Sequence, residues 1–389
     1  MKPLSEITTK FTESVIREMT RISSARGGIN LAQGFPNFDP PEAIRQAAID
    51  AIQQGWNQYA VTFGEADLRE AIARKALQYN RIECDPHTDV TVTCGATEAM
   101  IATLKALVNP GDEIIIFEPF YENYGPDAIL SGARPRYVTL RSPDWSYESN
   151  ELSAAFNGNT KAIIINTPNN PTGKVFSRKE LEEIGRLCIK WDAMAITDEI
   201  YEHILYDQET HVSMASIDGM ADRTVTLNSL SKTYSVTGWR VGWAIAEAGI
   251  TSRIRKVHDF LTVGAPTPFQ KAGVCALNMP EEYYTALQER YTGARDRLCS
   301  VLKTVGFNVE APRGAYYIMA HAGALIDRYP DVGANGFSIK LLDITGIATV
   351  PGTAFYHSPA MGQDQVRFCF AKDDSTIQAV CRRLERLTG

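Results

Sequence analysis

The sequence has 389 residues, long for one core, so two domains are expected. It is 44% hydrophobic and 22% charged, the composition of an ordinary globular protein. A formal charge of -7 with no basic stripe speaks against a nucleic-acid partner, although a local group of cations can still hold an anion. The chain opens on M-K-P-L-S-E-I-T-T-K, without the apolar centre of a signal peptide. No stretch approaches the roughly 18 apolar residues that span a bilayer. The seven cysteines are scattered, with no C-x-x-C pair, and the six histidines do not cluster. No metal site is proposed, and the cytoplasm is the expected compartment.

Along the chain, short β-rich runs alternate with amphipathic stretches. Residues Asp89–Thr93 read as a strand and Thr97–Val108 as a helix. N-P-G-D at 109–112 is a turn, followed by strands at 113–117 and 161–166. A helix begins near Ser177, with Glu180 completing a capping box. Further strands are expected at 193–198, Thr224–Leu227 and Arg240–Ala246. Continuous apolar strands separated by helices predict a mainly parallel sheet covered on both faces, an α/β fold. After Gly306 the order is less regular: F-N-V-E, A-Y-Y-I-M, a helix at Ser338–Thr345, Q-V-R-F-C-F and a last helix at 375–387. These predict a smaller α+β domain. The expected division is 1–44 packing with the small domain, 45–285 as the large domain and 286–389 as the small one.

Ligands of open α/β sheets gather at the carboxyl ends of the strands. C-G-A-T-E-A at 94–99 follows the first strand, and Gly95, Ala96 and Thr97 open a helix whose free N–H groups can cradle a phosphate. It could equally be an ordinary turn with a Thr cap. T-P-N-N-P-T-G at 167–173 is a rigid loop that puts Asn170 at a strand end. Asp198 in D-E-I-Y ends another strand, and a buried carboxylate needs a partner, either a salt bridge or a ring nitrogen. N-S-L-S-K-T-Y-S-V-T-G-W-R-V-G-W sets Lys232 among hydroxyls and aromatics, with Ser229 and Arg240 nearby. Such surroundings can lower a lysine's pKa and make it a nucleophile. Pyridoxal phosphate needs an amine, an acid at its pyridine nitrogen, donors to its phenolate oxygen and a phosphate cup. Lys232, then Asp198, then Asn170 with Tyr201, then Ala96–Thr97 with Ser229 and Arg240 match these needs. Lys232 can then shuttle a proton as acid and base.

N-N-P-T-G, D-E-I-Y and S-L-S-K-T-x-x-x-T-G-W-R-x-G, in this order, resemble the class I/II aminotransferases of pyridoxal-phosphate fold type I over nearly the whole chain. The resemblance implies that Lys232 carries the cofactor as an imine and that Asp198 pairs with its pyridine nitrogen. It implies that Tyr121 in E-P-F-Y stacks on the ring and that Arg367 in Q-V-R-F-C-F grips the substrate α-carboxylate through a guanidinium fork. It also implies that Gly34 in A-Q-G-F-P closes over the substrate. Tyr59 in N-Q-Y would reach the phosphate of a neighbouring subunit, making a homodimer with shared sites. L-A-Q-G-F-P-N-F and V-R-F-C-F-A-K are most similar to the kynurenine/glutamine/methionine transaminase branch, which favours aromatic, sulfur-containing or long neutral amino acids. The sequence departs from that branch at Val263 and Gly264, where several animal members carry an aromatic and a histidine. No arginine for a side-chain carboxylate stands out. An aspartate-type transaminase, a cysteine-conjugate β-lyase and a non-enzymatic cofactor-binding regulator are the competing readings.

Overall fold

A computed structural model describes residues 2–329 and 332–388. The N-terminal part contributes helix α1 (Val15–Ala25) and the short strand β1 (Ile29–Asn30), then helices α2 (Glu42–Gln53) and α3 (Ala66–Lys75). The middle runs β2 (Val90–Thr93), α4 (Ala96–Leu107), β3 (Glu113–Glu118), α5 (Tyr124–Leu130), β4 (Arg134–Thr139) and α6 (Ser149–Ala155). It continues through β5 (Thr160–Asn166), α7 (Arg178–Trp191), β6 (Met194–Asp198), β7 (Thr224–Ser229), β8 (Gly242–Ile245), α8 (Ala248–Thr262) and α9 (Thr267–Leu277). A long helix α10 (Glu281–Thr304) leads to β9 (Tyr317–His321), α11 (Gly323–Ile326), α12 (Gly333–Thr345), β10 (Ile347–Ala348), β11 (Val350–Pro351), β12 (Gln365–Cys369) and α13 (Asp374–Leu384).

Seven strands form one sheet in the order β2-β8-β7-β6-β5-β3-β4, parallel except for β8, which runs antiparallel to both neighbours. The central strands β3 and β5 are apolar on both faces, as a doubly covered parallel sheet requires. Ile115, Phe117, Ile163, Ile165 and Ala195 pack on one side with Leu181, Ile184 and Cys188 of α7. Ile114, Ile116, Ile164, Ile196 and Leu227 pack on the other with Ala99, Met100 and Leu104 of α4. The Ser177–Glu180 capping box starts α7 as expected. The α/β class expected from the sequence is therefore the one observed.

Several boundaries differ from expectation. The strand expected from Arg240 begins only at Gly242, because Arg240 takes a left-handed φ of 56° at the end of a 3-10 turn. F-N-V-E forms no strand. Asn308 exchanges both backbone hydrogen bonds with His321, and Pro312 and a turn at Ala315 (φ 55°) follow before a ladder can extend. The next strand accordingly starts at Tyr317. Helix α10 runs through the expected domain boundary at 285/286, and its Leu287, Tyr291 and Leu298 share a core with Phe368, Phe370 and Ile377. The N-terminal segment carries β1, which pairs in parallel with β10. It also touches the large sheet, since Ile16 and Met19 join the core that holds Ile115 and Phe117.

Candidate active site

The carboxyl ends of β5, β6 and β7, the N-terminus of α4 and the loop after β1 enclose a cavity of about 400 Å³. Gly34, Ala96, Thr97, Tyr121, Asn170, Asp198, Tyr201, Ser229, Lys232, Arg240 and Arg367 all line it.

Lys232 lies in the turn after β7. Its Nζ donates to the carbonyl of Gly34 at 2.9 Å, and the Tyr316 hydroxyl donates to the same oxygen at 2.9 Å. So Gly34 meets the lysine with its carbonyl. Only glycine fits here, since a Cβ would lie 1.8 Å from the Tyr317 hydroxyl. Burial pushes the lysine down to about 8, with the Arg240 and Arg367 charges adding to the fall while Cys369 and Asp198 oppose it.

Asp198 ends β6 and is 6% exposed. Its Oδ2 accepts from the Tyr124 hydroxyl at 2.7 Å, while its Oδ1 has no hydrogen-bond partner among the described residues. Burial raises this carboxyl to about 6 against the opposing Tyr124 hydrogen bond, the nearby Ile200 backbone amide and the Lys232 charge. Asn166 ties the floor together: its amide donates to the Asp198 carbonyl at 2.9 Å and its Oδ1 accepts from the Asn170 backbone at 2.7 Å.

Arg367 is fully buried on β12, yet it pairs with no carboxylate among the described residues. Nη1 donates to Asn170 Oδ1 at 2.8 Å, Nη2 donates to the Ala32 carbonyl, and Nε is unpartnered. The guanidinium lies 4.4 Å from the centre of the Tyr317 ring. A buried cation with spare donors fits an incoming anion.

The phosphate-cup expectation has a clear geometry. Gly95 has φ 83° and directly precedes α4, whose first N–H groups have no helical acceptor. A Cβ on Gly95 would come within 2.4 Å of Arg240 Nη2, and one on Gly242 within 2.5 Å of the Ala96 nitrogen. Two glycines thus let Arg240 and the start of β8 press against the helix N-terminus, while Ser229 is buried at the end of β7.

The remaining expectations fall as follows. Tyr121 meets Tyr124 edge to face, with ring centres 5.7 Å apart. The Tyr201 hydroxyl shares a 2.9 Å hydrogen bond with that of Tyr317. Tyr59 does not line the cavity and is 88% exposed. Val263 and Gly264 stay outside it as well, beside the 58–62 loop, where Thr267 donates to the Gln58 carbonyl at 2.6 Å. Sequence reasoning missed Tyr124, Tyr317, Asp127 and Arg17, all of which line the cavity. Tyr124 stands one helical turn after Tyr121, a usable signal had the G-P pair at 125–126 not hidden α5. Arg17 on α1 is an exposed cation at the cavity mouth and makes no ion pair among the described residues.

An amine of lowered pKa, a buried carboxyl with a spare oxygen and an anion cradle at a helix N-terminus fit pyridoxal phosphate, and define a cofactor-dependent enzyme of amino-acid chemistry. Comparison with known proteins carries this further. The family model for class I and II aminotransferases matches residues 26–384. A probable N-succinyldiaminopimelate aminotransferase of Mycobacterium tuberculosis is 38% identical, over 97% of this chain and 96% of its own. Human kynurenine–oxoglutarate transaminase 1 is 34% identical over 95% and 94% of the two chains. The crystal structure of the methionine aminotransferase of Escherichia coli superposes with a TM-score of 0.92 at 34% identity, covering 99% of both chains. The chain belongs to the class I and II aminotransferases. It is a pyridoxal-phosphate-dependent transaminase acting on an amino acid and a 2-oxo acid. No described helix is long and apolar enough to cross a membrane.

Proposed function

We propose that the protein moves the α-amino group of a neutral, sulfur-containing or aromatic L-amino acid to a 2-oxo acid such as 2-oxoglutarate, in two half-reactions at one site. The observation that carries this reading is the convergence of Lys232, the unpartnered Oδ1 of Asp198 and the buried guanidinium of Arg367 in one cavity. When bound, pyridoxal phosphate supplies an electron sink for the negative charge that forms at the amino acid's Cα. Lys232 would hold the cofactor, and its amine would act as base and acid for the proton at the amino acid's Cα. Asp198 holds a proton on the ring nitrogen. Asn170 and Tyr201 donate to the phenolate oxygen, and Tyr121 covers the ring. Gly95, Ala96, Thr97, Ser229 and Arg240 hold the phosphate. Arg367 grips the substrate α-carboxylate with Asn170 at its side, and Gly34 closes over it.

Arg17 supports a dicarboxylic acceptor, and it keeps an acidic, aspartate-type donor as the second reading. A β-lyase on the same groups differs only in expelling a β-leaving group. We place Tyr59 at a neighbouring subunit's site in a homodimer. Tyr59, Val61, Phe260, Leu261 and Val263 support this, because they form exposed apolar surface around adjoining loops. Scattered free cysteines favour the cytoplasm. An amino-donor screen with 2-oxoglutarate tests the assignment. Turnover of methionine or aromatic donors is expected to lead. Turnover restricted to aspartate and glutamate would favour the acidic reading, and pyruvate released from a cysteine conjugate would favour the lyase.

A further inference from the structure

The cavity holds one acidic group that the roles above leave unused. Asp127 sits three residues after Tyr124 on α5, on the same helical face, and lines the cavity. It is 7% exposed, its Oδ2 has no hydrogen-bond partner, and no cation pairs with it among the described residues. A buried carboxyl left without a partner is costly to the fold, and such groups gather where a ligand or a proton answers them. The groups around it are few. Tyr121 in the loop before α5 and Tyr124 at its start feel its charge, and Asp198 at the end of β6 is tied to Tyr124 by the 2.7 Å hydrogen bond. Glu122 and Arg17 act on the Tyr121 side. Burial raises the Asp127 carboxyl to about 7, into the range where it changes charge near neutrality.

We propose that Asp127 is a positioning residue of the cofactor site: a second carboxyl that acts through the Tyr124 hydroxyl on Asp198, and through Asp198 on the proton at the cofactor's ring nitrogen. This rests on the cofactor reading of the cavity. The sign follows from Coulomb's law. Ionised Asp127 adds negative charge at the Asp198 end and favours a retained proton there. Neutral Asp127 gives no such support. The same negative charge, felt more weakly across the ring, favours the proton on the nitrogen that joins Lys232 to the cofactor.

The test is a pH titration of the visible absorbance of the cofactor-bound protein. In D127N the midpoint is expected to fall by about half a unit, a roughly threefold loss of proton affinity. Asp127→Ser is a second neutral variant with the same expectation, should the amide pack badly. In a Tyr124→Phe background, D127N should shift the midpoint by clearly less, since the hydroxyl bonded to Asp198 is gone. An unchanged midpoint in yellow, folded D127N overturns the proposal, as does a full shift that persists without the Tyr124 hydroxyl. A wild-type protein that takes up no pyridoxal phosphate overturns the cofactor reading and this inference together, so the two failures are told apart.

Discussion

Asp198 and Glu199 are neighbours at the end of β6, and they open onto two polar regions of opposite character. On the Asp198 side, the cavity keeps Asp198 Oδ1, Asp127 Oδ2 and Arg367 Nε without partners. On the Glu199 side Glu199 Oε1, His203 Nε2 and His211 Nδ1 are also buried without partners among the described residues, but the charges themselves are paired. His211 and the Ser213 hydroxyl bond Glu199 Oε2 at 2.8 and 2.6 Å, and Asn80 donates to Glu202 at 2.7 Å. Lys75 pairs with Glu202, almost wholly out of water. Glu199, Glu202 and His211 bring donor atoms within 4.8 Å of one another, the spacing of a metal site, yet the Lys75 ammonium already supplies positive charge there. Burial pushes His203 down to about 3, so it stays neutral. Burial raises Glu202, but the Lys75 charge and the Asn80 hydrogen bond outweigh it and hold the carboxyl at about 2. The lesson is one of satisfaction. A buried ion that has found an ionic partner serves the fold, whereas one without such a partner marks where a ligand can complete the structure.

The two regions should therefore break differently. Lys232→Ala is expected to give the largest effect: loss of the cofactor's visible absorbance and at least a thousandfold loss of turnover, with the cofactor-free protein at least as stable as the wild type near neutral pH. Residual turnover near wild type would move the chemistry elsewhere. Next comes Lys75→Met. Removing one partner of a buried pair strands Glu202, at about 3–5 kcal/mol in a denaturant titration. A loss below about 1 kcal/mol would mean that the pair is solvated, and the contrast between the regions would fail. Arg367→Gln follows. Its loss of about 2–3 kcal/mol should appear as a higher KM for the amino acid, with thermal stability changing little. An unchanged KM would end the α-carboxylate role.

The cavity side of this contrast was largely legible in the sequence, and the reasons for the rest are physical. The strands of the large sheet announced themselves because both of their faces are buried, as the apolar run from Ile114 to Phe117 shows. The residues at their ends were legible because each chemical need pointed to one residue type. Helix α5 was not legible, since Gly125 and Pro126 read as a breaker, and Tyr124 and Asp127 were lost with it. The F-N-V-E run carried a strand's alternation, but pairing is decided by a partner edge, and among the described residues it finds a single bridge, Asn308 to His321. Arg17 was invisible for another reason: an exposed arginine on an amphipathic helix looks like any solvated charge until the fold turns it to a cavity mouth. Lys75, Asn80, Glu202 and His211 are distant in sequence, and nothing local tells a buried charge that has found its partner from a surface one.

The smallest expected effect sharpens the cavity side of the comparison. An ordinary lysine keeps its proton up to about pH 10.4, and Lys232 is lowered to about 8, chiefly by burial. Between those values the unfolded chain binds the proton and the folded chain does not. The cofactor-free protein should therefore gain stability as pH rises through that window, and lose it as pH falls toward 8. The same shift sets the supply of free amine. The rate at which the cofactor-free protein captures pyridoxal phosphate, followed by visible absorbance, should rise about tenfold per pH unit below 8 and level off above it. A simple alkylamine measured beside it corrects for titration of the cofactor and should keep climbing toward pH 10. If the protein's rate climbed alongside the alkylamine's, Lys232 would be an ordinary solvated lysine, and the carbonyl of Gly34 would be holding an ammonium rather than a poised nucleophile.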